Sequence, residues 1–262
     1  MNLGTLLEEL RDNILRDRSD QVSGAQSDKL WTDKTLVRYI NEAQDRFALR
    51  SECLRDATTP EICQVTTTVG MDVFPLSPKI IGVLSARCKG DTIDLARTGH
   101  CSLDTYNPVD DRMFDFSNYG VLTPGKVLAF STDEGMTADD KNSLNKLSFR
   151  TYPVVGAGHA GTINLRVVRL PLRKLHLGDL ESQPEIPEQY HFNMLDWAGY
   201  LALRGPDLDV AGGDAPARAR ELAQSFEAHV TDAKAEFKRR IFSPAKFKFG
   251  GNGFSYSRDY YG

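Results

Sequence analysis

Three glycines are spaced as in a loop that binds the phosphates of a dinucleotide. Gly156, Gly158 and Gly161 match the pattern GxGxxG. In such loops the glycines let the backbone approach a pyrophosphate at the first turn of a helix. The residues that follow, TINLRVVRL, alternate as in a β-strand, so no helix dipole would face the phosphates. We therefore interpret this segment as the glycine-rich loop of a β-hairpin.

A second segment has the spacing of a loop that binds nucleoside triphosphates. Gly120, Gly125 and Lys126 match GxxxxGK, in which the lysine reaches the terminal phosphates. The next residue is Val127, where a serine or threonine is needed to hold magnesium, and VLAFS has the character of a strand. We interpret this match as a chance similarity and expect no cofactor.

Residues that bind metals or catalyse acid–base reactions are scattered along the chain. The histidines are His100, His159, His176, His191 and His229, and the cysteines are Cys53, Cys63, Cys88 and Cys101. Their spacing lacks the pairs of a metal site, so we expect no metal and ordinary reduced thiols. One loop contains Asp133, Glu134, Asp139 and Asp140. That spacing does not match a calcium loop, and with no GxSxG motif the sequence predicts a protein that is not an enzyme.

The composition is that of a globular protein, and it argues against some partners. The chain has 262 residues, 40% of them hydrophobic and 26% charged, with a formal net charge of -4 and a pI near 5.8. Because this balance is acidic, we expect any contact with DNA to be loose. No apolar run approaches the roughly 18 residues that cross a bilayer, and the acidic first residues do not resemble a secretory signal. We expect a cytosolic origin and no membrane partner.

Helical periodicity is found near the two ends of the chain. Apolar positions between residues 3 and 17 predict one amphipathic helix, and a second begins after Thr32, a good N-cap. The apolar face of the second helix is predicted to contain Leu36, Ile40, Ala43, Phe47 and Leu54. A third helix is predicted from Pro187 to Gly205, and a longer fourth helix runs from Asp214 to Ile241.

The middle of the chain has the character of β-strands. The predicted strands are Ile62 to Val69, Val73 to Leu76, Ile80 to Ala86, Thr92 to Leu95, Lys126 to Phe130, Lys146 to Tyr152 and Thr162 to Leu170. They do not alternate with helices, which argues against a Rossmann or P-loop fold.

The predicted fold class is therefore α+β. We expect a bundle of about four helices, the first two packed on the last two, with an inserted antiparallel β domain and an extended C-terminal arm. The predicted boundaries are 1–57 and 176–243 for the two parts of the helical domain, 58–175 for the β domain and 244–262 for the arm.

Residues 244–262 form an aromatic and basic tail. Its candidate residues for binding a neighbour are Lys246, Phe247, Lys248, Phe249, Phe254, Tyr256, Arg258, Tyr260 and Tyr261. The glycines of the tail disfavour a helix, but so many aromatic side chains are seldom left in water. The alternation in KFKF and FSYSR fits an added strand or an arm laid in a neighbour's groove. The alternative is a tail that wraps over its own domain.

Three stretches together resemble the head-to-tail adaptor proteins of tailed bacteriophages. The first, residues 30–56, is similar to that family's tryptophan-led helix with YINEAQ at its centre. The second, 147–171, resembles the paired strands of the insert: a strand ending in YP, a short loop and a long strand closing on Arg-Leu-Pro. The third, 184–209, resembles a proline-started helix followed by an aspartate-rich turn.

The resemblance implies a structural virion protein of the phage neck. Such adaptors form a ring, usually dodecameric, that docks on the portal protein above and on a tail or nozzle protein below. The ring encloses the channel through which the genomic DNA leaves, without sequence-specific binding. The C-terminal arm of such proteins typically reaches into the portal, which fits the candidate residues of the tail. The implied location is the neck or tail of the virion, after assembly in the host cytoplasm.

Two alternatives stay open at this point. One is another ring protein of the neck or tail, such as a stopper, tail terminator or tail tube protein, which would differ mainly in its partner surfaces. The other is a nucleotide-binding enzyme that uses the two glycine segments. Binding of ATP or NAD that is lost on Gly158→Ala or Lys126→Ala would favour the enzyme.

Overall fold

The computed structural model describes residues 1–16, 30–97, 124–132, 147–204 and 214–241. Within them the helices are α1 (Leu3–Glu9), α2 (Asp33–Ser51), α3 (Pro60–Cys63), α4 (His191–Leu203) and α5 (Ala215–Ile241). A π-helical turn, Leu10–Leu15, continues α1, and a 3-10 turn, Glu188–Tyr190, precedes α4. None of the helices in these ranges is both long enough and apolar enough to cross a bilayer.

Local signals determine where the first two helices begin and end. The hydroxyl of Thr32 accepts a hydrogen bond from the N–H of Thr35 and caps α2, as predicted. Glu52 has a left-handed backbone with a φ of 56° and ends the helix. Leu54, predicted on the apolar face of this helix, therefore lies beyond its end, although it is still buried in the helical core. Arg16, also left-handed, ends the π-helical turn before the predicted limit at residue 17.

The strands form two sheets. They are β1 (Arg55–Asp56), β2 (Gln64–Thr66), β3 (Val73–Pro75), β4 (Ile80–Cys88), β5 (Ala96–Arg97), β6 (Ala129–Ser131), β7 (Ser148–Tyr152) and β8 (Thr162–Arg169). In the first sheet β8 is central, with β4 along one side and β1 and β2 along the other, all antiparallel. The second sheet has the order β3-β7-β6-β5. The α+β class is confirmed, and the second sheet is mixed because β5 pairs parallel with β6.

The segment 156–161 does not close a β-hairpin, so that interpretation is wrong. The strand before it, β7, belongs to the second sheet, and the strand after it, β8, belongs to the first. Both sides of β7 are occupied, by β3 and β6, which leaves no side for β8 to pair with. The segment instead crosses from one sheet to the other, and the predicted pairing of these two strands is also wrong.

Two further predicted strands are displaced. The strand predicted from Ile62 begins as α3, because Pro60 occupies the first turn of that short helix, and only Gln64–Thr66 is extended. The strand predicted at Thr92 to Leu95 appears slightly later in the chain, as β5. Leu95 instead donates its N–H to the carbonyl of Ala86 at 2.8 Å, beside the edge of β4.

Two hydrophobic cores lie in different parts of the chain. In the helical core the first two helices pack on the last two, as predicted, and Phe47 of α2 contacts Tyr190 and Phe226 at ring-centroid distances of 5.4 and 6.0 Å. In the β core Phe130 and Phe149 stack at 5.1 Å. The domain boundaries at residues 57, 175 and 243 stay predictions.

Candidate interaction site at the junction of the two cores

Arg169, the last residue of β8, joins three segments of the chain. Its Nε donates to Asp56 Oδ2 at 2.8 Å, and its Nη1 donates to Glu185 Oε2 at 2.6 Å. The side chains are 15% exposed for Arg169, 6% for Asp56 and 20% for Glu185. We call these three residues the junction cluster. Because the cluster is mostly dehydrated, removing one member leaves a poorly solvated charge without its partner.

Asp56 is held as a carboxylate by hydrogen bonds from the residues that follow it. Its Oδ1 accepts bonds from the N–H groups of Thr58 and Thr59 at 2.8 and 3.1 Å, and its Oδ2 accepts one from the Thr59 hydroxyl at 2.7 Å. Burial alone would raise the pKa of Asp56, but these bonds and the bond from Arg169 outweigh burial and lower the pKa. Asp56 is therefore charged at neutral pH.

The guanidinium of Arg169 is also held in its charged form. Burial would lower the pKa of Arg169, but the hydrogen bonds and charges of Glu185 and Asp56 outweigh burial and raise the pKa. The cluster therefore contains one cation between two carboxylates. Its second carboxylate, Glu185, also accepts bonds from the N–H groups of Leu172 and Arg173 at 2.8 and 2.7 Å.

Two side chains of α2 hold the segment that connects β8 to α4. Asn41 donates from Nδ2 to the carbonyl of Leu175 at 2.9 Å and accepts from the N–H of Leu175 at 2.8 Å. Gln44 accepts from the N–H of Glu185 at 3.1 Å and donates to the carbonyl of Arg173 at 3.3 Å. The two amides satisfy backbone groups as a neighbouring strand would. The connecting segment is therefore fixed to the helical core although residues 172–187 form no strand.

The three stretches that carry the phage resemblance meet at this junction. Residues 30–56 supply Asn41, Gln44 and Asp56, residues 147–171 supply Arg169, and residues 184–209 supply Glu185. The sequence reasoning did not identify any of these as functional residues. The available signal was the pair Asn41 and Gln44, polar residues within the apolar periodicity of α2, both of which are buried.

Cys63, next to the junction, is unsuited to nucleophilic catalysis. Burial, followed by the charge of Asp56, raises the pKa of this thiol to about 11. The thiol is therefore protonated at neutral pH, whereas the reactive form of cysteine is the thiolate.

Arginine and aromatic side chains are stacked along one side of the helical core. The guanidinium of Arg46 lies 4.9 Å from the ring centroid of Trp197, the rings of Trp197 and Tyr200 are 4.8 Å apart, and the guanidinium of Arg204 lies 5.8 Å from the Tyr200 ring. We call these four residues the stacked face. Tryptophan, tyrosine and arginine are the residue types enriched at the centres of protein interfaces.

The two glycine segments lie against each other. Gly156 donates its N–H to the carbonyl of Gly125 at 3.0 Å, and Gly125 donates to the carbonyl of Val154 at 2.9 Å. Residues 162–169 after the first segment form β8, and residues 129–131 shortly after the second form β6. Neither segment therefore leads into a helix. Gly120 lies outside the described residues.

The remaining candidates for metal or acid–base chemistry are dispersed. His159 and His176 are exposed, His229 lies 3.9 Å from Asp196, and His191 is buried with Nε2 2.7 Å from the carbonyl of Ile186. In the part of the chain that the structure describes, no group of three or more histidine, cysteine, aspartate or glutamate side chains could hold a metal ion. His100, Cys101 and the acidic loop residues Asp133, Glu134, Asp139 and Asp140 lie outside that part.

The C-terminal arm also lies outside the described residues. The candidate binding residues Lys246, Phe247, Lys248, Phe249, Phe254, Tyr256, Arg258, Tyr260 and Tyr261 therefore stay a prediction. The last helix, α5, ends at Ile241, shortly before the first of them.

A comparison with protein families gives a match over almost the whole chain. The family model described as SU10 adaptor protein matches residues 1–245. The matched residues contain all the described helices and both sheets, and they end immediately before Lys246, the first candidate residue of the arm. No curated protein matches the chain. The chain belongs to the SU10 adaptor protein family.

Proposed function

We propose that this phage adaptor protein acts at the head-to-tail connection. Copies of the chain form a dodecameric ring that joins the portal protein to a tail or nozzle protein and encloses the channel through which the genomic DNA leaves. Membership of the adaptor family, over both cores, is the observation that carries this proposal. The family identifies a structural component of the virion, and the ring and its partners are the proposed extension.

The junction cluster supports a connecting role. A subunit that lies between two partners must keep its binding surfaces in a fixed relation to each other. Arg169, at the end of β8, contacts Asp56 of β1, the strand that follows α2, and Glu185 on the segment that leads into α4. The chain is therefore held together where it enters and where it leaves the β core. Asn41 adds a second attachment to the same connecting segment. Such an arrangement holds the two cores in one orientation.

The proposed partner surfaces are the stacked face and the arm. The stacked face has the composition of an interface centre and is proposed to contact a neighbouring copy. The arm residues, from Lys246 to Tyr261, are proposed to bind the portal or a neighbouring copy, since their aromatic side chains would bury a large apolar area there. The acidic net charge of -4 favours loose passage of DNA over retention.

A different position in the neck or tail is the main alternative. A stopper, tail terminator or tail tube protein would also form a ring, and only the partner distinguishes these roles. The nucleotide-binding enzyme is not favoured, because a strand follows each glycine segment where a phosphate-binding loop needs a helix.

Native mass spectrometry of the full-length chain, alone and mixed with the portal protein of the same phage, tests the proposal. We expect a closed ring of chain copies bound to the portal ring. A ring that does not bind the portal but binds a tail protein would favour the alternative position. A chain that stays monomeric in the presence of the portal would contradict the adaptor role.

A further inference from the structure

The two glycine segments create a shared feature that neither motif predicts alone. Val155 pairs with Gly125 in a parallel β-bridge, and a Cβ atom on Gly156 would lie 2.6 Å from the carbonyl oxygen of Pro124. The segments are therefore packed backbone against backbone. This contact requires a glycine at position 156, and it brings Lys126, the lysine of the second motif, beside the loop of the first.

A cavity of about 350 Å³ opens next to this contact. Its lining includes Lys89, Asp91, Lys126, His159, Gly161 and Thr162. Lys89 follows the end of β4, Lys126 precedes β6, and His159 belongs to the loop between β7 and β8. Three nitrogen-bearing side chains from separate parts of the β region thus surround one cavity.

The cavity has an excess of positive charge. Lys126 Nζ lies 3.0 Å from an oxygen of the Asp91 carboxylate, so that pair is neutral overall. Lys89 is exposed and has no acidic partner among the residues that the structure describes. Two lysines against one carboxylate leave one uncompensated positive charge. An anion would balance this charge.

We propose that this cavity binds a phosphate group, held by Lys89 and Lys126 with His159 at its edge. The group is either a free phosphate or a phosphate of a DNA backbone, and both offer the same anionic oxygens to the lysines. Since no helix begins at either glycine segment, the lysines supply the attraction, and binding is weak and salt-dependent. Binding at this cavity involves no chemical reaction and does not require ring formation.

Binding of free phosphate is measured by the broadening of the phosphorus-31 resonance of inorganic phosphate in the presence of the full-length protein. We expect the broadening to saturate as phosphate is added. Lys89→Ala or Lys126→Ala should each weaken the affinity for phosphate about two- to fivefold, which is the effect of losing one exposed charge pair. Asp91→Asn removes the carboxylate that competes for Lys126, so it should strengthen binding by a similar factor. Lys174→Ala is the control: it removes an exposed lysine of the segment between β8 and α4, which is paired with Asp45 and does not line the cavity, and it should have no effect.

Binding of a DNA backbone phosphate is measured by the fluorescence anisotropy of a labelled short DNA duplex. If the backbone phosphate is the ligand, the lysine variants weaken DNA binding, and each lowers the slope of log affinity against log salt by about one. Binding of inorganic phosphate without DNA binding would identify a free phosphate as the ligand. Broadening that does not saturate, or that the two cavity variants and Lys174→Ala reduce equally, would overturn the proposal.

Discussion

Asp56 Oδ2 and Arg169 Nε lie 2.8 Å apart and connect the first and last strands of the β region. Beside this contact β1 pairs antiparallel with β8, with Arg55 opposite Val168. The chain therefore enters and leaves the β region at one place. Glu185, on the segment that leads into α4, shares the same guanidinium. One side chain thus fixes the path of the chain on both sides of the β core.

Replacement of Arg169 tests this relation. Arg169→Met removes both ion pairs and leaves two mostly buried carboxylates without a cation, a loss that costs about 3 kcal/mol of unfolding free energy in comparable pairs. Urea unfolding followed by circular dichroism measures the change. Arg166→Met, at an exposed position of the same strand, is the control and should change stability by less than about 0.5 kcal/mol. Equal effects of the two substitutions would show that the cluster does not stabilise the fold.

The pH dependence of stability should depend on Asp56. Its pKa in the folded protein is lowered, so as the pH falls through the ordinary value of about 3.9 the unfolded chain binds a proton before the folded chain does. The stability that Asp56 contributes is therefore present above that pH and is lost below it. Urea unfolding at about pH 7 and about pH 3 measures how much unfolding free energy is lost on acidification. This loss should be smaller for Asp56→Asn than for the unchanged chain. Asp94→Asn, which removes a carboxylate from an exposed ion pair with Arg87, is the control for the loss of a carboxylate as such.

The contact between the glycine segments predicts that a single added carbon atom at residue 156 destabilises the fold. A Cβ at Gly156 would approach Pro124 O to 2.6 Å and Gly125 N to 2.7 Å, and both are backbone atoms that cannot rotate away. Gly156→Ala should therefore lower the unfolding free energy by about 1–3 kcal/mol. A Cβ at Gly161 meets nothing within 4 Å, so Gly161→Ala should be tolerated. A stable Gly156→Ala protein, shown by an unchanged melting temperature, would contradict the packing.

The arm should be required for assembly and not for folding. The helical core extends to Phe237, so deletion of residues 246–262 should leave the melting temperature unchanged. The truncated chain should fail to form the complex with the portal when both are examined by native mass spectrometry. A full-length chain with serine at the aromatic positions of the arm separates lost contacts from lost length, and it should fail in the same way. A truncated chain that folds and still assembles with the portal would show that the arm does not bind it.

The helices could be predicted because their signals are local. Thr32 caps α2 through Thr35, three residues away, and the apolar steps of α5 continue from its first turn to Phe237. The junction could not be predicted in the same way. Asn41 bonds to Leu175 and Gln44 to Glu185, and such distant pairs leave no periodic pattern in one sequence.

β7 and β8 were predicted to form a hairpin, and they do not pair with each other. Strands that are adjacent in sequence commonly pair, and a glycine loop between β7 and β8 fits that expectation. β7 is instead flanked on both sides by β3 and β6, and Phe149 of β7 stacks on Phe130 of β6 with the ring centroids 5.1 Å apart. Gly156 serves a close backbone contact with Gly125, and Gly158, with a φ of 80°, lies in a tight turn that the hydrogen bond from the N–H of His159 to the carbonyl of Gly156 closes.

Cryo-electron microscopy of the neck of intact particles that contain this protein tests the head-to-tail role most directly. We expect a single closed ring of chain copies directly below the portal ring, in contact with a tail or nozzle protein on its other side. In that ring, each subunit should show the contact of Arg169 with Asp56 and Glu185. Particles in which the chain is absent from the portal–tail connection, or is present as isolated copies that do not close a ring, would contradict the proposed function.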